Sequence, residues 1–176
     1  MNMDMDVLRA ELKRDEGLRL VKYRCTAGKL TIGYGRNLDD VGILPEETRT
    51  LGITKDSVIR TGITQAIADA LLEGDIARAM ADLDRALPWW RKLDGVRQRV
   101  MVNMVFNMGI GRRRTETRRG SGLLGFNNTL AAIERGDWAR AVAGMQASDW
   151  YKQVKARAVR MCALMKGGAS VGAAAP

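Results

Sequence analysis

Apolar positions along this 176-residue chain fall into segments with different periods. Val7, Leu8 and Leu12 form an i, i+1, i+5 face. This predicts a first helix, capped by Asp4 or Asp6 and running to about Glu16. Gly17 ends it. From Leu18 to Tyr34 the residues favour strands: Leu20, Tyr23, Leu30, Ile32 and Tyr34 flank an Ala27-Gly28-Lys29 turn. Two or three short strands are expected there. Residues 37–62 are punctuated by Gly42, Pro45, Gly52 and Gly62 and read as loop with one short helix.

A longer helical period follows. Thr64 is an N-cap candidate, and Ile67, Leu71, Leu72, Ile76, Met80 and Leu83 keep one face apolar to about Ala86, before Pro88. Asp94 opens a helix from Gly95 to Met108 that is apolar nearly all round, the signature of a bundle centre. Residues 110–122 hold no core-forming run but carry Arg112, Arg113, Arg114, Arg118 and Arg119 between glycines. Three shorter helices are predicted at about 127–135, 137–145 and 150–166, the last broken near Val154. The small-residue stretch 167–176 predicts a tail without structure. The fold class expected is α+β, mostly α. It comprises a small β-containing N-terminal lobe (about 14–63), a linking helix (about 64–86) and a larger helical lobe (87–166 with 1–13), together one domain.

Composition narrows the chemistry. Lys and Arg number 29 against 20 Asp and Glu, and the sequence pI is about 10.1. Such an excess suits an anionic partner. There is no histidine, which removes Ser-His-Asp and Cys-His catalysis and the commonest metal ligand. Two cysteines, Cys25 and Cys162, cannot build a zinc site alone and could form at most one disulfide. So few cysteines suggest folding in a reducing compartment. No metal or cofactor is expected. The N-terminus lacks an apolar run, so neither a signal peptide nor a membrane anchor is expected.

The residues most suited to chemistry cluster early. Glu16 ends the first helix, and Cys25 and Thr31 follow at spacings of nine and six, placing a carboxyl, a thiol and a hydroxyl around one turn-rich stretch. At the C-terminal end of a helix the macrodipole favours a protonated acid. A thiol beside Lys22, Arg24 and Lys29 would ionise more readily than a free one.

Four blocks carry a resemblance. They are Glu16-Gly17; Thr31-Ile32-Gly33-Tyr34-Gly35; Val102 to Gly109 (VNMVFNMG); and Gly125 to Leu130 (GFNNTL). With Trp138, Ser148-Asp149-Trp150-Tyr151 and Arg157, they resemble the T-even phage lysozyme (endolysin) family over about residues 3–166. That family's catalytic pattern is Glu, eight residues, Asp or Cys, five residues, Thr, which Glu16, Cys25 and Thr31 fit without a gap.

The resemblance implies a two-lobed lysozyme fold and a monomer. It also implies cleavage of the β-1,4 bond between N-acetylmuramic acid and N-acetylglucosamine in peptidoglycan, with inversion, lysing a bacterial host. The protein would be made in the host cytoplasm and act on the periplasmic wall after release. The catalytic residues implied are Glu16, Cys25 and Thr31. Asn37, Phe106, Asn107, Phe126 and Thr129 are implied to bind substrate. Arg157 is implied as a supporting basic partner of Glu16, with Asp15 and Arg160 beside that pair. Arg36 is implied to face Asp75; relatives often carry His at this position, but an Arg pair does not switch off near pH 7. Gly144 stands where a relative offers an amide to the sugar. The Arg112–Arg119 loop exceeds its counterpart in length and is a candidate for docking onto anionic envelope polymers.

Two other readings use the same residues. A lytic transglycosylase cuts the same bond with one Glu and gives 1,6-anhydro products. A nucleic-acid-binding helical protein would suit the charge, but no helix-turn-helix, RNA-binding motif or zinc spacing is present, so no nucleic-acid partner is expected.

Overall fold

The computed structural model describes residues 3–168. It is mostly helical, 64%, with one small antiparallel sheet. The tail expected at 169–176 lies outside the described residues; Gly167 still belongs to the last helix and Gly168 caps it. The chain divides into two compact units, Arg9–Arg78 and Met1–Leu8 with Ala79–Pro176.

The Arg9–Arg78 unit takes most of α1 (Met5–Glu16) and the sheet β1 (Arg19–Arg24), β2 (Leu30–Gly33) and β3 (Arg36–Asn37), ordered β1-β2-β3. Asp4 Oδ1 caps α1 by accepting from the Asp6 and Val7 amides at 3.0 Å. Gly17 ends it at φ 68°, where a side chain would strain the backbone. Pairs in register are Tyr23 with Thr31, Arg24 with Leu30, and Thr31 with Asn37. Leu12, Ile32, Leu38, Val58, Leu71, Leu72 and Ile76 form this unit's core.

Residues 37–62 differ from the expectation of one short helix. They hold two, α2 (Pro45–Leu51) and α3 (Lys55–Thr61). Neither has a continuous apolar face. α2 buries no residue, and its Glu47 carboxylate accepts from the Leu44 amide at 2.9 Å. α3 buries only Val58 and is closed by reciprocal Thr54 and Ser57 bonds. The long-period helix is α4 (Gln65–Ala86), within which the division into units falls.

In the other unit a 3-10 turn at Pro88–Lys92 leads into α5 (Gly95–Met108), whose start is the expected one: the Asp94 carboxylate accepts from the Val96 and Arg97 amides at 3.1 Å. Every residue from Gly95 to Val105 is buried. Around it lie α6 (Asn127–Glu134), α7 (Trp138–Gln146), α8 (Asp149–Val154) and α9 (Ala156–Gly167). The break expected near Val154 is at Lys155, held at φ 45°. Both cysteines are free: Cys25 is half-buried, and Cys162 is buried with its thiol pushed up to about 11 by desolvation.

One buried cation organises the sheet-bearing unit. Arg36 on β3 has a side chain 1% exposed. Its Nε donates to Asp75 at 3.0 and 3.1 Å, Nη1 and Nη2 donate to Glu47 at 2.7 Å each, and Nη2 also reaches the Leu71 carbonyl at 3.1 Å. The expected Arg36–Asp75 pair is present, and Glu47 is the partner that sequence reading missed. Arg78 pairs with Asp75 as well.

Candidate active site

Directly opposed residues in an antiparallel sheet share a face, and residues two apart on a strand do too. Tyr23, Thr31 and Asn37 therefore form one row across the sheet, with Cys25 two residues beyond Tyr23 as the chain leaves β1. The turn is fixed by the Cys25 amide to the Lys29 carbonyl at 3.0 Å and the Gly28 amide to the Cys25 carbonyl at 2.8 Å. Glu16, at the end of α1, turns its carboxylate onto the backbone of Gly35. A Cβ at Gly35 would stand 3.3 Å from Glu16 Oε2, and the φ of 91° there favours glycine.

Tyr23 locates the two titratable groups. Burial raises its phenol first, and the negative charges of Glu16 and Cys25 raise it further. Its ring thus lies within electrostatic reach of both, with the Arg19 guanidinium 5.1 Å from the ring centroid. By sequence Tyr23 read only as a strand-former.

The Cys25 thiol is held below its ordinary value. The Ala27 amide hydrogen bond contributes most; partial burial opposes it, and the Lys29 amide and Thr31 hydroxyl add to it. Backbone amides therefore lead where the sequence suggested neighbouring cations, and of those cations Lys29 still interacts electrostatically with Cys25. The Lys22 ammonium donates to the Ile59 carbonyl at 2.8 Å, the Arg24 guanidinium to the Gly28 carbonyl at 2.7 Å, and the Lys29 ammonium to Asp40 at 2.9 Å. Thr31 is 3% exposed, and its hydroxyl donates to the Lys29 carbonyl at 3.0 Å. A hydroxyl has one proton and two lone pairs, so in this state Thr31 keeps lone pairs for a water or turns its proton to the thiolate. Asn37 spends its amide on its own turn: its carbonyl oxygen accepts from the Asp39 and Asp40 amides at 2.9 Å, and its Nδ2 donates to Asp40 at 2.8 Å.

The second unit carries an open groove of about 760 Å³, lined among others by Arg114, Phe126, Thr129, Gly144, Asp149 and Trp150. Of the expected substrate residues, Phe126 and Thr129 line it. The Phe126 ring meets Trp150 edge to face at 6.4 Å. Asn107 does not line the groove but accepts from the Trp150 indole at 2.9 Å, fixing that ring. Phe106 is half-buried on α5 and lies outside the lining. Arg157 is buried on α9, where Nε donates to the Asn103 side chain at 2.8 Å.

A model of the phage lysozymes matches residues 13–164. The chain belongs to the phage lysozyme family. Membership makes it a lysozyme-type hydrolase acting on peptidoglycan. It is 33% identical over 165 residues to the pre-baseplate central spike protein Gp5 of Enterobacteria phage T4, covering 89% of this chain but 27% of that protein. It is 30% identical over 166 residues to probable T4-type lysozyme 1 of Dictyostelium discoideum, covering 89% of this chain and 92% of that one. It is also 33% identical over 110 residues to an endolysin of Acyrthosiphon pisum secondary endosymbiont phage 1, with 60% of each covered.

Against a family position that can offer an amide, Gly144 has a steric reason here. A methyl group on it would overlap Thr129 Oγ1 and stand 3.3 Å from Thr129 Cβ. Gly144→Ala gains about 1 kcal/mol of helix propensity but overpacks by about 1–3 kcal/mol, so the expected net result is a lower melting temperature. Adding Thr129→Gly is expected to relieve the loss; thermal melts of the single and double variants check it.

Proposed function

We propose that the protein is an endolysin hydrolysing the β-1,4 bond between N-acetylmuramic acid and N-acetylglucosamine. The observation that supports the reading is the row of Tyr23, Thr31 and Asn37 across the sheet, with Cys25 two residues beyond Tyr23 and the Glu16 carboxylate against Gly35. Glu16 delivers a proton to the glycosidic oxygen as the bond breaks. The Cys25 thiolate takes the place a second carboxylate would hold. It stabilises the oxocarbenium-like sugar and orients a water held by Thr31. The water adds at the anomeric carbon and its proton leaves through the anionic side, giving a reducing end and, by family default, inversion. Asn37, Phe106, Asn107, Phe126 and Thr129 are the residues proposed to serve the glycan, Asn37 by shaping its turn and Asn107 by holding Trp150. Arg157 keeps the supporting role that family likeness implies.

Among the described residues no helix is long and apolar enough to cross a membrane. We propose synthesis in the host cytoplasm, action on the wall after release, and host lysis as the outcome. The test is digestion of purified peptidoglycan with mass spectrometry of the products. Muropeptides with reducing muramic ends are expected, and Glu16→Gln is expected to lower the rate about 1,000-fold or more. 1,6-Anhydro ends would make the enzyme a transglycosylase. Full activity in Glu16→Gln would end the assignment.

A further inference from the structure

The turn between β2 and β3 has one side chain to hold it. Tyr34 stands at its apex, between Gly33 at φ 65° and Gly35 at φ 91°. The tyrosine is 6% exposed. Lys13 Nζ lies 5.5 Å from the ring centroid, a cation–π contact, and 2.7 Å from Asp69 Oδ1. Burial raises the Tyr34 phenol first, and its hydrogen bond to the Asp69 carboxylate raises it further. One carboxylate on α4 thus gathers a residue of α1 and the apex of the turn.

Both partners of that carboxylate stand beside Glu16. Lys13 is three residues before it on α1, one turn back on the same helix face. Tyr34 directly precedes Gly35, the backbone against which the Glu16 carboxylate rests. Another turn back along α1, the Arg9 guanidinium donates to Glu73 on α4 at 2.6 and 3.0 Å, so the helix is tied to α4 at two levels.

We propose that Tyr34, with Lys13 and Asp69, positions Glu16 for proton transfer, by tying the helix end that carries the carboxyl to the turn that receives it. The three residues act through Glu16, and the inference rests on the proposed role of that residue as the acid. An acid must present its proton along the line to the leaving oxygen, so a small displacement lowers the rate more than it lowers binding. Burial alone would be served by phenylalanine at position 34; the hydroxyl adds a fixed direction through Asp69.

The test is a double-variant cycle read in kcat and KM on soluble glycan strands prepared from peptidoglycan. Tyr34→Phe keeps the ring and removes its bond to Asp69; Lys13→Met keeps the stem and removes the ammonium. Expected is a fall in kcat of about fivefold for Tyr34→Phe and about tenfold for the two together, with KM within about twofold of the wild type. Lys13→Arg keeps a cation over the ring and is expected to stay within about twofold in kcat. In a Glu16→Asp background, where the shorter side chain has already withdrawn the carboxyl, Tyr34→Phe is expected to cost nothing further. Matching thermal melts confirm that the variants fold. An unchanged kcat in the double variant overturns the proposal. So does an equal loss in the Glu16 and Glu16→Asp backgrounds, which would make the cluster a general brace, or a rise in KM alone, which would make Tyr34 a substrate contact. Full activity in Glu16→Gln would overturn it by another route, by removing the assignment of the acid itself.

Discussion

Cys25→Ser lowers kcat/KM on purified peptidoglycan by about 100-fold or more, whereas Cys25→Asp stays within about tenfold of the wild type. Serine preserves size and hydrogen bonding but stays neutral across the working range, so the variant isolates the anion. The surroundings of Cys25 favour that anion. The Ala27 and Lys29 amides and the Thr31 hydroxyl lower its pKa. An aspartate would meet the same donors. If serine served as well as cysteine, the thiol would be a passive occupant of the turn and water activation would have to lie elsewhere.

Arg36→Ala is the largest stability change expected, about 3–5 kcal/mol, or about 10 °C in melting temperature for a chain of this size. The guanidinium joins β3, α2 and α4 through Glu47, Asp75 and the Leu71 carbonyl. Without it Arg78 is the one cation that Glu47 and Asp75 keep among the described residues. The pH dependence has a definite sign. In Asp75 burial outweighs its cations and the pKa is raised; in Glu47 burial also acts most strongly, yet Arg36 and the Leu44 amide carry it below the usual range. Removing Arg36 moves both folded values up, Asp75 further above its ordinary value and Glu47 from below its own. The cost then appears fully above the ordinary carboxylate range and shrinks as pH falls through it. The melting gap between variant and wild type should narrow on acidification. Arg36→Lys recovers only part, since one ammonium cannot fork to two carboxylates.

Helices that bury a regular face were legible from spacing alone. α4 and α5 have the expected extents because Thr64 and Asp94 mark their starts and Pro88 and Gly109 follow their ends. α2 was not legible, since it is held by Glu47 and Arg36 rather than by a buried stripe. The spacing of Glu16, Cys25 and Thr31 singled out the residues proposed for the chemistry, but not what controls the thiol. Lys22, Arg24 and Lys29 are adjacent in sequence and turn to other acceptors, while backbone amides of the turn do the work; a residue string does not show where amides point. Tyr23 was hidden because a strand-forming tyrosine and a site tyrosine read alike. The groove was missed as a unit because Arg114, Thr129, Gly144 and Trp150 meet only through the packing of separate elements.

The central claim is that the active form pairs a protonated Glu16 with an ionised Cys25. Thiols ordinarily titrate above carboxyls, so the alkaline fall of kcat/KM follows the thiol. With aspartate at position 25 the thiol no longer sets that fall, which moves down into the carboxylate range. The decisive measurement is the pH profile of kcat/KM on purified peptidoglycan for wild type and Cys25→Asp. An alkaline limb that moves down by more than about one pH unit in Cys25→Asp is the predicted result. Coincident profiles would contradict a thiolate at the centre of this site.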